Sequence, residues 1–331
     1  MGGKDASRLV ATFLAVAAAV CLAASARAQA PLSWVVDYRQ EAERLHGLGL
    51  SYADRERYEE AVKSLTEAVR VDPGYALAYN DLGYAYHLSG KYGEAAAAYR
   101  EAIRLRRDYA VAWNNLGMAY GASGDFKNGV EALAEAVRIR PDYAAAFYNL
   151  GMTYYKMGRT EAALESLRNA VHLDPNYADA HHSLGVIHIE SGRYAEAVGA
   201  LERAAALRPG SHAVYRSLGL AYQKAERLVD AAETYKKALS LQKDAEVYNN
   251  LGVTYDLMGR RREAVESYRQ AVNLRPDYVE AHYNLALAHL RAGEKGEAVG
   301  QYAVLKRLAP ESAGELFALM NRDRILDAAR K

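Results

Sequence analysis

Asparagine is the residue whose spacing in this chain could do chemistry. Asn115 and Asn149 lie 34 residues apart, and so do Asn250 and Asn284. A side-chain amide carries two N–H donors and a carbonyl acceptor, so a row of amides can hydrogen-bond the backbone of an extended peptide. Asn is a poor helix-interior residue, because its amide competes for backbone partners. Its recurrence therefore needs a cause. Two causes fit: a row that grips a peptide, or pairing that stabilises neighbouring repeats.

Other chemistry is thinner. His181, His182 and His188 lie close together, and His282 and His289 form a second pair. The spacing 181–188 recurs as 282–289 in columns that are mostly aromatic, so histidine reads as an aromatic substitute rather than a metal ligand. The single cysteine, Cys21, rules out a disulfide framework and a Cys-based zinc site. There is no Gly-rich phosphate loop, no H-E-x-x-H and no nucleophile elbow. Arg260-Arg261-Arg262 reads as a solvated turn. Lys+Arg 42 against Asp+Glu 41 supplies no basic groove, so the 26 tyrosines do not make a nucleic-acid platform. No metal, cofactor or enzymatic activity is expected.

The elements that must position these residues come from a repeat. Leu-Gly recurs at Leu48-Gly49, Leu82-Gly83, Leu116-Gly117, Leu150-Gly151, Leu184-Gly185, Leu218-Gly219 and Leu251-Gly252, and ends as Leu285-Ala286. With this Gly as the eighth residue, eight repeats run 42–75, 76–109, 110–143, 144–177, 178–211, 212–244, 245–278 and 279–312. Positions 4, 7, 8 and 11 share one helical face, and so do 20, 24 and 27. Position 15 is Gly in six repeats, suited to a left-handed helix end. Position 32 is Pro in six, which stops the second helix. Each repeat is thus helix, turn, helix. Gly at 8 calls for close approach of the two helices, with Ala at 20 facing it. Two repeats depart most: the sixth lacks one residue and has Lys243 where Pro is expected, and the first has Glu56 at the turn position.

Trp113-Asn-Asn-Leu116-Gly117-Met-Ala-Tyr120 carries W-x₂-L-G-x₂-Y, the signature of the tetratricopeptide repeat (TPR) family. The chain resembles that family from Ala42 to Ser312. Asn at position 6 and the turn Pro-Asp-Tyr-Ala also resemble the repeat array of O-linked N-acetylglucosamine transferases; only 19 residues follow Ser312, so that catalytic activity is not carried over. The resemblance implies an all-α, right-handed solenoid with the first helices on its concave face and positions 2, 5, 6, 9, 12 and 13 turned inward. The inward candidates for binding a peptide or protein are Asn80, Asp81, Asn114, Asn115, Tyr148, Asn149, His182, Ser183, Arg216, Asn249, Asn250, Tyr283 and Asn284. Position 9 is apolar throughout and never Asn, so the family's carboxylate clamp is absent.

The ends complete the reading. Lys4 and Arg8 precede an apolar run from Leu9 to Ala24, and Ala26-Arg27-Ala28 offers small residues at −3 and −1, a signal peptide over 1–28. A second cut, after Ala30, would place Pro31 next to the scissile bond. The alternative is a retained N-terminal anchor, but the run is shorter than the ~20 residues that span a bilayer. Residues 29–41 form an N-terminal segment and 313–331 a capping helix for the last repeat. The expectation is an exported, periplasmic or secreted protein-interaction scaffold. Its alternative is an accessory subunit of an envelope secretion, pilus or polysaccharide-export assembly.

Overall fold

Two amphipathic stretches per repeat become a pair of helices in the computed structural model, which describes residues 32–321. The first helices are α1 (Leu32–Ala53), α3 (Ala76–Leu88), α5 (Ala110–Ala122), α7 (Ala144–Lys156), α9 (Ala178–Glu190), α11 (His212–Lys224), α13 (Ala245–Leu257) and α15 (Val279–Arg291). The second helices are α2 (Tyr58–Val71), α4 (Tyr92–Leu105), α6 (Phe126–Ile139), α8 (Thr160–Leu173), α10 (Tyr194–Leu207), α12 (Leu228–Leu241), α14 (Arg261–Leu274) and α16 (Lys295–Leu308). A last helix, α17 (Pro310–Met320), follows. No strand occurs among the described residues. The protein is an all-α solenoid of helix-turn-helix repeats, and its described residues fall into two compact halves that divide between Met157 and Gly158.

Position 8 is a notch. A Cβ on Gly83 would stand 2.7 Å from the Tyr99 ring, one on Gly117 2.5 Å from Leu133 Cγ, and one on Gly219 2.5 Å from the Tyr235 ring. The side chain seated on each glycine belongs to position 24, not to the alanine at 20 that the sequence pattern put there. Leu65, Tyr99, Leu133, Leu201, Tyr235 and Tyr268 play this part and are almost fully buried. Ala at 20 is buried beside them, as at Ala61, Ala95, Ala231 and Ala264. Ala at 27 is fully buried at Ala68, Ala102, Ala204 and Ala238, and lets the next repeat dock.

The turns follow from backbone chemistry. Gly90, Gly124, Gly192, Gly259 and Gly293 take φ of 72 to 84°, the left-handed region that glycine enters freely. Glu56 and Glu226 hold the same position at φ 58° and 60° and bear the Cβ strain. At the junctions, the residue at 31 stacks on the tyrosine at 34: Arg106 lies 3.5 Å from the Tyr109 ring centre and Arg140 4.4 Å from that of Tyr143. The short sixth repeat loses this junction. Gln242 is extended, and Asp244 caps α13 by accepting from Glu246 N at 2.8 Å and Val247 N at 3.4 Å.

Both ends differ from the sequence boundaries. α1 begins at Leu32, inside the 29–41 segment, so the first helix starts ten residues ahead of its repeat. The cap begins at Pro310 rather than at 313, because a proline that ends one helix is also well placed as the first residue of the next. Leu305, in the column that is elsewhere Ala, packs on Ala313 and Leu316 of that cap. The 1–28 segment, and the cap beyond Asn321, lie outside the described residues. Among the described residues, no helix is long and apolar enough to cross a membrane.

Two substitutions in the sixth repeat read these constraints in opposite directions. Gly219→Ala should cost about 1–3 kcal/mol by overpacking on Tyr235. Glu226→Gly should gain about 1 kcal/mol by releasing the left-handed strain. Urea unfolding of the full chain measures both.

Candidate peptide-binding face

The first helices of the N-terminal half carry a continuous polar ladder. Tyr75 Oη lies 3.2 Å from His46 Nδ1, and His46 Nε2 lies 2.7 Å from Asp81 Oδ2. A carboxylate oxygen only accepts, so Nε2 carries the proton. Asn80 Nδ2 donates to Asp81 Oδ1 at 3.0 Å, and Asn115 Nδ2 donates to Asn80 Oδ1 at 3.1 Å. Asn114 Nδ2 donates to Asn115 Oδ1 at 3.2 Å, and Asn149 Nδ2 donates to Asn114 Oδ1 at 2.9 Å. The rule is that position 5 of one repeat pairs with position 6 of the next, 35 residues on. Position 5 is buried (Asn80, Asn114), whereas position 6 is half-buried and borders the open face.

In the C-terminal half the ladder breaks into pieces. His182 Nε2 meets Ser217 Oγ at 3.0 Å, and Asn284 Nδ2 donates to Asn249 Oδ1 at 3.0 Å. Asn249 is fully buried and also donates to Glu280 at 3.2 Å. Between them stands the exposed Arg216, at 3.4 Å from Glu246 and 3.9 Å from Asp244. Asn250 is half-buried, and the nearby Tyr235 hydroxyl donates to Gln223 Oε1 at 3.0 Å. Tyr148 and Ser183 are half-buried on α7 and α9. Tyr283 packs on the cluster formed by Ala286, Leu305, Ala313 and Leu316.

The thirteen candidates thus share first helices, but much of their hydrogen-bonding capacity is spent between repeats. His46 and Tyr75, outside the candidate set, end the ladder. The signal for it was present in the sequence: His46 and Asp81, Asn80 and Asn115, and Asn249 and Asn284 are each 35 residues apart.

What the N-terminal half presents to solvent beside the ladder is apolar. Leu50, Tyr84 and Met118 at position 9, Leu77 at position 2 and Leu88 at position 13 are all 38–49% exposed. At position 9 of the C-terminal half Val186, Leu220 and Leu287 are half-buried, whereas Leu257 at position 13 stands alone at 60% exposed. Beside it that half shows charge: Arg291 reaches Asp256 at 3.0 Å, and Tyr268 Oη donates to the same carboxylate at 3.2 Å.

The histidines have structural employment. His181 Nε2 donates to the Pro175 carbonyl at 3.1 Å and His282 Nε2 to that of Pro276 at 3.0 Å. Trp113 Nε1 makes the same bond to Arg107 O at 3.1 Å. Each ties position 4 to the carbonyl six residues back, which is why an N–H-bearing ring fits there. Among the described residues, no group of three or more His, Cys, Asp or Glu side chains is placed to hold a metal. His188 is 5% exposed and its Nδ1 has no hydrogen-bond partner.

Asn114→Ala removes the central rung and leaves Asn149 and Asn115 without it. A loss of about 1–3 kcal/mol is expected on urea unfolding. A pH effect follows from His188, whose pKa burial pushes down, helped by Arg168. A folded pKa below the unfolded value means that the unfolded chain binds the proton better. Stability is therefore intact above about pH 6.5 and falls as pH drops below it. His188→Tyr, which restores the residue common in that column, should remove part of that loss when melting temperature is followed from pH 8 to 5.

A family model described as the cilia and flagella-associated protein 70 C-terminal domain matches residues 76–249, just over half of the chain. TPR repeat models match 49–90 and 257–293, and a tetratricopeptide repeat model matches 280–312. No match is found among curated proteins. Pseudomonas aeruginosa PilF is 21% identical with a TM-score of 0.54, over 63% of this chain and 96% of that one. The hetero-tetramer Cut9–Hcn1 of the APC/C gives 18% identity and a TM-score of 0.51, over 80% of this chain and 52% of that one. MamA gives 28% identity and a TM-score of 0.46, over 49% of this chain and 95% of that one. The likeness to PilF and to Cut9–Hcn1 is one of fold. With the repeat register, the helix pairs and the matched models in agreement, the chain belongs to the tetratricopeptide-repeat family, a family of typically non-catalytic protein-interaction scaffolds.

Proposed function

We propose that this chain is a non-catalytic scaffold working outside the cytoplasm, and that it holds an extended peptide or protein segment on the first helices of its N-terminal half. The carrying observation is the row of exposed large apolar side chains, Leu50, Leu77, Tyr84, Leu88 and Met118, beside a rail of amides. Apolar side chains in one row offer area to bury, and the half-buried position-6 amides offer polar partners along the same line. The N-terminal basic start, apolar run and Ala-x-Ala site support export. Repeats without a catalytic motif support the non-enzymatic reading.

Replacing the Asn row is a poor test, because those amides also hold neighbouring repeats together. The exposed row is the better target. A displayed library of random dodecapeptides is selected against the mature protein and its binders are measured on a Leu50→Ser, Leu77→Ser, Tyr84→Ser variant. Affinity should fall about tenfold or more at a temperature where circular dichroism shows the variant still fully folded. Equal affinity for the variant would sink the reading. Mass spectrometry of the exported protein should find Gln29 as its first residue. Recovery in the membrane fraction with one fixed partner, and no selected peptide, points instead to an envelope-assembly subunit.

A further inference from the structure

The exposed row has a gap beside Met118. Positions 12 and 13 of the third repeat are Gly121 and Ala122, where the flanking repeats carry His87-Leu88 and Tyr155-Lys156. Unlike the position-8 glycines, Gly121 is not forced by a close approach. A Cβ there would find only Thr153 Oγ1, at 4.0 Å. Glycine is costly inside a helix, and other helical glycines such as Gly47 and Gly93 are equally open; what sets Gly121 apart is the hollow beside it. The missing side chains leave a hollow of about 440 Å³, wholly within the N-terminal half and walled by Met118, Met152 and Phe126. Lys156, exposed on its rim, is the one Lys or Arg lining it, and no carboxylate lines it.

We propose that this hollow is the anchor subsite of the groove, taking one aromatic side chain of an extended peptide whose neighbouring residue is acidic. The inference rests on the peptide-binding reading above. The volume lies at the small end of ligand pockets, enough for a phenol or indole ring and too small for a folded element. Two methionine thioethers and a phenyl ring make a polarisable wall, and sulfur packs favourably against aromatic rings. A lone ammonium on the rim, with no carboxylate opposite, complements a carboxylate on the ligand. Open space at Gly121 is what admits the ring.

Gly121→Leu tests this directly. The new Cβ meets only Thr153 Oγ1, at 4.0 Å, and the substitution replaces a poor helix former, so the variant should melt at the same temperature or higher. The dodecapeptide library selected on the wild type should return aromatic residues next to Asp or Glu. Those peptides should bind Gly121→Leu, or a second filling variant Ala122→Leu, about tenfold or more weakly. Lys156→Glu should keep the aromatic preference and exchange the acidic neighbour for a basic one. Unchanged affinity on both filling variants, or selected peptides without aromatic residues, overturns the anchor. If the Leu50, Leu77, Tyr84 variant also loses those same peptides, the groove stands without this subsite. No peptide selected on the wild type overturns both.

Discussion

The contact between a glycine at position 8 and the side chain at position 24 is the constraint on which the rest depends. It sets how closely the two helices of a repeat cross, and so where the neighbouring columns lie. In a close-packed interior a methyl group at that notch would have to displace a buried tyrosine or leucine. With the crossing set, Ala at 20 and 27 can be small without leaving voids, and position 5 is brought near position 6 of the next repeat. The third repeat takes the approach further: Gly129 replaces Ala at 20, and a Cβ there would lie 3.3 Å from Gly117 O.

The amide ladder is a consequence of that geometry, and it answers the puzzle of asparagine in a helix. A buried amide at position 5 must be paired, since an unsatisfied polar group in the interior costs about 1–3 kcal/mol. The next repeat supplies the partner from position 6. Stability and display are therefore coupled: the buried member holds the repeats together, and the half-buried member is fixed in orientation at the edge of the face. An amide held by its neighbour loses less side-chain freedom when a ligand arrives, so pairing between repeats and binding at the face are compatible. Arg216 shows what happens without the pair. It turns to Glu246 and Asp244 instead, and the ladder is interrupted there until Asn249 and Asn284.

The fold was legible because every repeat states it again. A column of Leu, Gly and Pro at fixed spacing leaves no ambiguity about helix, turn and helix, and from Ala76 onward each repeat begins where a first helix begins. What the column could not give was the partner of each residue. Gly83 was readable as a notch, but whether Ala95 or Tyr99 fills it depends on how the helices are rotated, which spacing alone does not state. Nor could the chemistry of Asn114 be assigned from its own position, because its partners, Asn115 and Asn149, include one in the next repeat. The ends were harder still. Where the repeat stops, Pro310 loses its context as a terminator and begins a helix.

Apolar exposure is the feature that separates the candidate face from ordinary solvated helix. Single exposed apolar residues are common on soluble proteins, but a row at one helical column is not scatter. Leu50, Tyr84 and Met118 share position 9, so they stand in register from repeat to repeat. A ligand that follows the row meets the same chemistry three times, which by itself selects greasiness and little else. Specificity has to come from where the repeats differ. In the N-terminal half one such difference at the inward positions is a subtraction, the glycine and alanine of the third repeat. Absence of a side chain next to a fixed amide rail is a way for a repeat array to acquire selectivity while each crossing, and each rung of the ladder, stays as it is.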